Sequence, residues 1–137
     1  MQPSELEQLE RSLYTYRMRV TRVIDGDTVE GYLDLGLHLE RKLRIRLYGI
    51  NAPERRGATN VAGCAARDHL ARLLSKYGES KVDGYHLLVQ TSLDRDDKYG
   101  RLLGTLWGAI GGRDLVNLNG RTIEAGPAVP APESRGR

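Results

Sequence analysis

Phenylalanine is absent from this chain, and aromatic residues make up only 6% of it. A broad platform for stacking bases is therefore not expected. Cys64 is the only cysteine, which excludes an internal disulfide and fits a reducing compartment. No apolar run is long enough to span a bilayer. The first residues, Met1-Gln2-Pro3-Ser4-Glu5-Leu6-Glu7, are polar and acidic and lack the basic start and apolar stretch of a secretory signal. The expectation is a cytoplasmic protein with no membrane partner and no obligate protein partner in evidence; secretion stays open. At 137 residues the chain suits one domain with a real core.

The charge that is present has a sign and a pattern. The formal net charge is +3 and the sequence pI about 9.2. That balance is compatible with a polyanionic partner, though many domains share it. The distribution says more. Arg17, Arg19 and Arg22 lie in one strand-like run, and Arg41, Lys42, Arg44 and Arg46 in another.

Residues Leu13 to Ile24 alternate, with Tyr14, Tyr16, Met18 and Val20 on one face and Thr15, Arg17, Arg19 and Thr21 on the other. Period two predicts a half-buried strand. Asp25-Gly26-Asp27 predicts a turn, Thr28 to Leu35 a second strand, and Gly36 a bend. Leu37, Leu39, Leu43, Ile45 and Leu47 then form the apolar face of a third strand that runs to Ile50. In Val61 to Tyr77 the period changes. Leu70, Leu73, Leu74 and Tyr77 recur at the spacing of an amphipathic helix, and Gly78 suits its end. Strands return at Tyr85 to Leu93 and Arg101 to Ile110, with a turn expected at Gly111-Gly112. A short helix is expected over Leu118 to Ala125, capped by Asn117.

This order predicts an α+β chain, mainly β. Five antiparallel strands with a main helix between the third and fourth and a short C-terminal helix fit a Greek-key barrel of the OB type. Residues 1–12 read as an N-terminal extension, 13–129 as the domain and 130–137 as a disordered tail rich in Pro and charge.

Two runs carry most of the chemistry: Val23-Ile24-Asp25-Gly26-Asp27-Thr28 and Arg46-Leu47-Tyr48-Gly49-Ile50-Asn51-Ala52-Pro53-Glu54. Each follows an apolar strand and delivers oxygen donors at its end. Asp25 and Asp27 place two carboxylates on one tight turn, where a divalent cation would offset their repulsion. Asn51 offers an amide oxygen, Ala52 a carbonyl and Glu54 a carboxylate, while Pro53 fixes the local backbone. Either run alone would read as an ordinary turn. A third run, Asp97-Lys98-Tyr99-Gly100-Arg101, adds a second arginine to Arg46. Two arginines on one phosphate would neutralise the charge that grows in a pentacovalent transition state.

Taken together and in this order, the three runs resemble the staphylococcal nuclease (thermonuclease-like) family, over about Leu13 to Val129. The resemblance implies an OB barrel with helices and a Ca2+-dependent nuclease, with Mg2+ or Mn2+ as further candidates. The implied reaction is phosphodiester hydrolysis of DNA, RNA or both, with little sequence preference and 3′-phosphate products. Asp27 resembles the family's direct metal ligand and Asp25 its outer partner. Asn51 stands where a second aspartate ligand usually sits, and Ala52 where a backbone carbonyl binds. Glu54 resembles the glutamate that positions or deprotonates the attacking water. Arg46 and Arg101 resemble the phosphate clamp, and Lys98 and Tyr99 the pair on the nucleotide's other phosphate.

Three departures stand out. Asn51 removes a charge from the metal shell. The stretch Val29 to Arg44 is longer than in the family's best-known member, so its hairpin is expected to project further. The tyrosines and third helix that follow the family's second helix are missing after Val129. A non-catalytic OB module that binds nucleic acid is the alternative, kept open by Asn51; a purely structural domain is a third reading. Cys64 reads as a packing residue, since nothing near it in sequence would activate a thiol. His38, His69 and His86 share no ligand spacing.

Overall fold

The computed structural model describes residues 3–53, 60–77, 87–93, 102–110, 114–125 and 129–130. In chain order its elements are α1 (Glu5–Arg11), β1 (Thr15–Asp25), β2 (Thr28–Gly36), β3 (Leu39–Leu47), β4 (Ile50–Asn51) and α2 (Asn60–Tyr77). Then come β5 (Leu87–Leu93), β6 (Leu102–Ile110), β7 (Asp114–Asn117), α3 (Leu118–Ala125) and β8 (Val129–Pro130). The sheet runs β3-β2-β1-β5-β6-β7, and β3 also pairs with β6. That last pairing closes β1, β2, β3, β5 and β6 into a five-stranded barrel, the expected OB architecture.

One feature of the closure departs from expectation. Ile45, Arg46 and Leu47 pair in parallel with Leu102, Leu103 and Gly104, so the barrel is not antiparallel throughout. Side-chain alternation is the same in parallel and antiparallel strands, so periodicity could not separate them.

Alternation put the right residues inside over most of the barrel. Met18, Val29, Leu33, Ile45, Leu47, Val89 and Leu106 are buried, with Leu70 and Leu74 of α2 and Leu118 of α3 packed onto them. In β1 the phase slips twice, between Val20 and Arg22 and again between Val23 and Asp25. At the first slip Val20 faces Gly31, but Arg22 rather than Thr21 faces Glu30. The extra residue is a β-bulge. It turns Arg22 outward and brings Val23 into the core. Gly31 is what allows the close approach, because a Cβ there would run into the Arg19 carbonyl oxygen.

The tip of the β2–β3 hairpin is where the apolar pattern misleads. Leu37 and Leu39 were expected on the buried face but are 90% and 58% exposed. Among the described residues β6 meets β3 only over Ile45–Leu47, so the hairpin runs past the barrel and its tip has nothing to pack against. The turn itself is Leu37-His38, both with positive φ (57° and 61°), as a two-residue hairpin turn requires. The β2–β3 hairpin thus projects beyond the strand pairing that closes the barrel.

Helix α2 begins one residue before the predicted start, and α3 has the predicted bounds. Asn117 caps α3 as expected: its Oδ1 accepts from the Gly120 N–H at 3.1 Å. Two elements were not foreseen at the chain's ends. Within the 1–12 extension, α1 is capped by Ser4, whose Oγ accepts from Glu7 N at 3.2 Å. At the other end, β8 pairs with β4, setting Asn51 opposite Val129 and Ile50 opposite Pro130. Pro130, assigned to the tail from composition, thus lies against β4. Residues 131–137, Gly78 and Gly111-Gly112 fall outside the described residues.

A truncation series tests where the domain stops. A chain ending at Pro130 should keep the full melting temperature, whereas one ending before Val129 should lose a few degrees with the β4–β8 pairing. Equal melting of both would mean that β8 contributes nothing to the fold.

Candidate metal centre

The turn between β1 and β2 is built to be tight. Asp25 pairs directly with Thr28, leaving Gly26-Asp27 as the two turn residues. A Cβ on Gly26 would meet the Ala66 Cβ at 2.6 Å and the Ala52 Cβ at 2.9 Å. The turn is pressed between α2 and the segment that follows β4, and only glycine fits there.

Asp27 is held from three sides. Its carboxylate Oδ1 accepts from Thr28 Oγ1 at 3.0 Å, and Oδ2 accepts from the Ala52 N–H at 3.1 Å. Its backbone carbonyl accepts from Leu47 N at 2.7 Å. The first and second chemistry-bearing runs, 25 residues apart, thus meet in a direct hydrogen bond. The residue is only 8% exposed. A buried carboxylate kept rigid by two donors points its remaining lone pairs in fixed directions.

Around it lie the other expected donors. Asp25 is half-buried at the end of β1, Asn51 is exposed at the end of β4, and Ala52 is half-buried beside it. Arg46 is half-buried and directly opposite Thr28 across the β2–β3 ladder. On its other side it pairs with Leu103, two residues beyond Arg101. Arg101 itself, with Glu54, Lys98 and Tyr99, lies outside the described residues. The structure therefore joins Asp27 to Ala52 directly and sets Asp25 and Arg46 on either side of Thr28, while Asn51 directly precedes Ala52 in the chain.

The donor chemistry fits a hard divalent cation. Every nearby donor of the set is an oxygen, and each Asp27 oxygen has accepted one hydrogen bond of the two it can take. No group of three or more His, Cys, Asp or Glu side chains converges among the described residues. The set expected from the sequence would add an amide and a backbone carbonyl to its carboxylates. The histidines take no part: His38 is exposed at the hairpin tip, His69 is half-buried on α2, and His86 lies outside the described residues. Cys64 is half-buried on α2.

Residues 44–135 match the family described as Staphylococcal nuclease homologue. The chain belongs to that family. Relatives include Protein ParB of Escherichia coli, 38% identical over 92 residues, covering 66% of this chain and 41% of that protein. Micrococcal nuclease of Shigella flexneri is 30% identical over 117 residues, covering 82% of this chain and 57% of that protein. An uncharacterized endonuclease of Escherichia coli O157:H7 is 34% identical over 110 residues, covering 80% and 58%. The chain spans about half the length of these curated relatives.

Within this staphylococcal nuclease homologue, two contributors have no role in the sequence reading. Thr28 orients the Asp27 carboxylate. Its position after Asp27 in the run was visible, but a threonine in a strand has a commoner packing role. Asn119 ties α3 to the strands beneath the site, donating to the Tyr48 and Gly104 carbonyls at 2.9 and 3.0 Å and accepting from Leu106 N at 3.0 Å. Nothing in the local sequence marks it.

Proposed function

We propose that this protein is a metal-dependent nuclease that hydrolyses phosphodiester bonds of DNA or RNA with little sequence preference, leaving 3′-phosphate ends. The observation that carries the reading is the Asp27 carboxylate bonded to the Ala52 N–H, which joins the two donor runs beside Arg46. Family membership supports it.

Ca2+ is the metal the oxygen donors suit best, held by Asp27, Asn51 and the Ala52 carbonyl, with Asp25 in the outer shell. When bound, the ion would polarise the scissile phosphate. The remaining roles fall to the chain. Thr28 and the Ala52 N–H keep the Asp27 carboxylate aimed. Arg46 reaches the phosphate from the β3 strand and, with Arg101, meets charge that appears in the transition state. Glu54 orients or deprotonates the attacking water. Lys98 and Tyr99 bind the neighbouring phosphate.

Digestion of single- and double-stranded DNA and RNA with calcium, with magnesium and with chelator tests this reading. Cleavage abolished by chelator is the expected result. Salt-dependent binding without cleavage would favour the non-catalytic module instead, a reading that draws on the amide at Asn51 where a carboxylate would supply charge. Neither cleavage nor binding would leave only a structural role.

Asn51 offers a sharper test of the metal. An amide oxygen ligates calcium without the charge of a carboxylate, and site charge tunes affinity. Asn51→Asp should tighten calcium binding by about tenfold. It should also slightly destabilise the metal-free protein, because another carboxylate joins Asp25 and Asp27. Calorimetric titration with calcium reads the first effect and thermal melting in chelator the second. Superimposable titrations would show that residue 51 does not touch the metal.

A further inference from the structure

The outer face of the β1–β2–β3 ribbon carries a charge pattern that the cleavage step does not use. Cross-strand partners in an antiparallel ladder share a face. The register therefore groups Arg17 with Asp34 and Glu40, Arg19 with Tyr32 and Lys42, and Arg22 with Glu30 and Arg44. The next position along β3 is Arg46, opposite Thr28, at the candidate site. Six cations thus share the face with three carboxylates.

The cations are ordered and yet available. Arg19 stacks over the Tyr32 ring at 4.7 Å from its centroid, and Lys42 approaches the same ring at 6.0 Å. Tyr32 so holds a cation on either side of β2. Glu30 accepts from Arg44 at 2.9 Å and lies 3.3 Å from Lys42, while Glu40 lies 3.6 Å from Arg19. The Arg44 hydrogen bond foremost, against the opposing effect of burial, keeps Glu30 below the usual carboxylate range, with Lys42 adding to it. The cation side chains remain open to solvent: Arg19 is 40% exposed, Lys42 54% and Arg44 56%. The Arg19–Glu40 pair is exposed on both sides, 40% and 40%, and contributes little, so Arg19 can turn to a phosphate at small cost. Glu30 is 14% exposed but has two cations beside it, so it can release one to a phosphate and keep the other. Arginine also favours phosphate in a two-pronged geometry.

The spacing is directional. Lys42, Arg44 and Arg46 are same-face neighbours on one strand, about 6.7 Å apart. The row starts on the part of the hairpin that runs past the barrel and ends beside Asp27. The strand 2–3 face is also where OB barrels commonly present a surface to oligonucleotides.

We infer that this face is a track for the phosphate backbone of a nucleic-acid strand, leading from the projecting β2–β3 hairpin down to the candidate site. The inference rests on the nucleic-acid reading of that site. It deepens that reading by assigning the protein long polyanionic strands as its preferred partner. Affinity should rise with strand length until the row is filled.

The experiment measures binding of a long and a very short single-stranded DNA in chelator over a range of salt. It compares the wild-type protein, the triple variant R19Q/K42Q/R44Q and Glu40→Gln. The triple variant should bind the long strand about 10- to 100-fold more weakly at low salt and flatten the log–log salt slope by about 2, near 0.7 for each lost contact. Glu40→Gln, which removes a competing carboxylate, should tighten it severalfold. Because this second variant gains affinity, a folding defect in the triple variant cannot imitate the result. Unchanged long-strand affinity and slope in both variants would overturn the track. So would a loss confined to an acidic polypeptide probe with DNA binding intact.

Calcium-dependent digestion of the short strand by the wild-type protein tests the nuclease reading separately. No digestion, with the binding differences as expected, sinks the nuclease and supports the track. Digestion with identical binding sinks the track alone. Absence of any DNA binding by the wild-type protein sinks both.

Discussion

Glu54→Gln should lower turnover by roughly 10²- to 10⁴-fold, the span expected for loss of a general base. The change removes a carboxylate and keeps the side chain's size, so folding should be unaffected. The Ala52 N–H is fixed on the Asp27 carboxylate, and Glu54 follows Ala52 by two residues, so chain geometry allows at most about 7 Å between their Cα atoms. The measurement is kcat on a long DNA substrate with saturating calcium, across pH. The acid limb of the wild-type profile, where a base gains its proton, should vanish with the carboxylate. Turnover within a few-fold of wild type, with the acid limb intact, would remove Glu54 from the mechanism.

Asn119→Ala should cost about 3–5 kcal/mol, the largest stability loss expected from a single polar side chain here. Asn119 is 5% exposed, and all of its hydrogen bonds go to backbone groups. Truncation leaves the buried Leu106 N–H without its acceptor and removes a donor from the part-buried Tyr48 carbonyl. The Gly104 carbonyl keeps its second donor, Tyr48 N at 2.8 Å. For a chain of this size the loss corresponds to a fall in melting temperature of about 10–20 °C. Asn119→Asp separates hydrogen bonding from size. It keeps the acceptor for Leu106 but turns an oxygen toward two carbonyls, so it should be at least as destabilising as alanine. Melting curves within a few degrees of wild type for both variants would mean that water replaces the amide. Tyr48 lies two residues beyond Arg46, so the same variants should also lower cleavage by loosening the end of β3.

What the sequence disclosed and what it withheld divide along physical lines. Local periodicity located β1, β2, β3 and α2, because each buries one face and exposes the other. Capping chemistry located α3, since Asn117 and the start at Leu118 are neighbours in the chain. Features that depend on a partner strand were hidden. The bulge in β1 exists because Gly31 lets β1 approach β2, a pairing that period-two reading does not contain. The parallel closure of β3 on β6 leaves no mark on either strand's alternation. Leu37 and Leu39 continue the apolar pattern of β3 past the point where the barrel ends, so only the three-dimensional limit of β6 tells which leucines are covered. In the candidate site, the donor types were legible from the two runs and the family resemblance. The Asp27–Ala52 hydrogen bond and the fit of Gly26 against Ala66 were not, since each joins residues far apart in the chain.

The β4–β8 pairing also orders events in time. Of the described residues, Val129 and Pro130 are the last to leave a ribosome, and they are the strand that lies against Asn51 and Ile50. Asp25, Asp27 and Arg46 emerge much earlier. A growing chain therefore carries the carboxylate turn and the β3 arginine before the backbone of Asn51 has its partner. The edge of the candidate site thus stays unpaired until synthesis has passed Pro130.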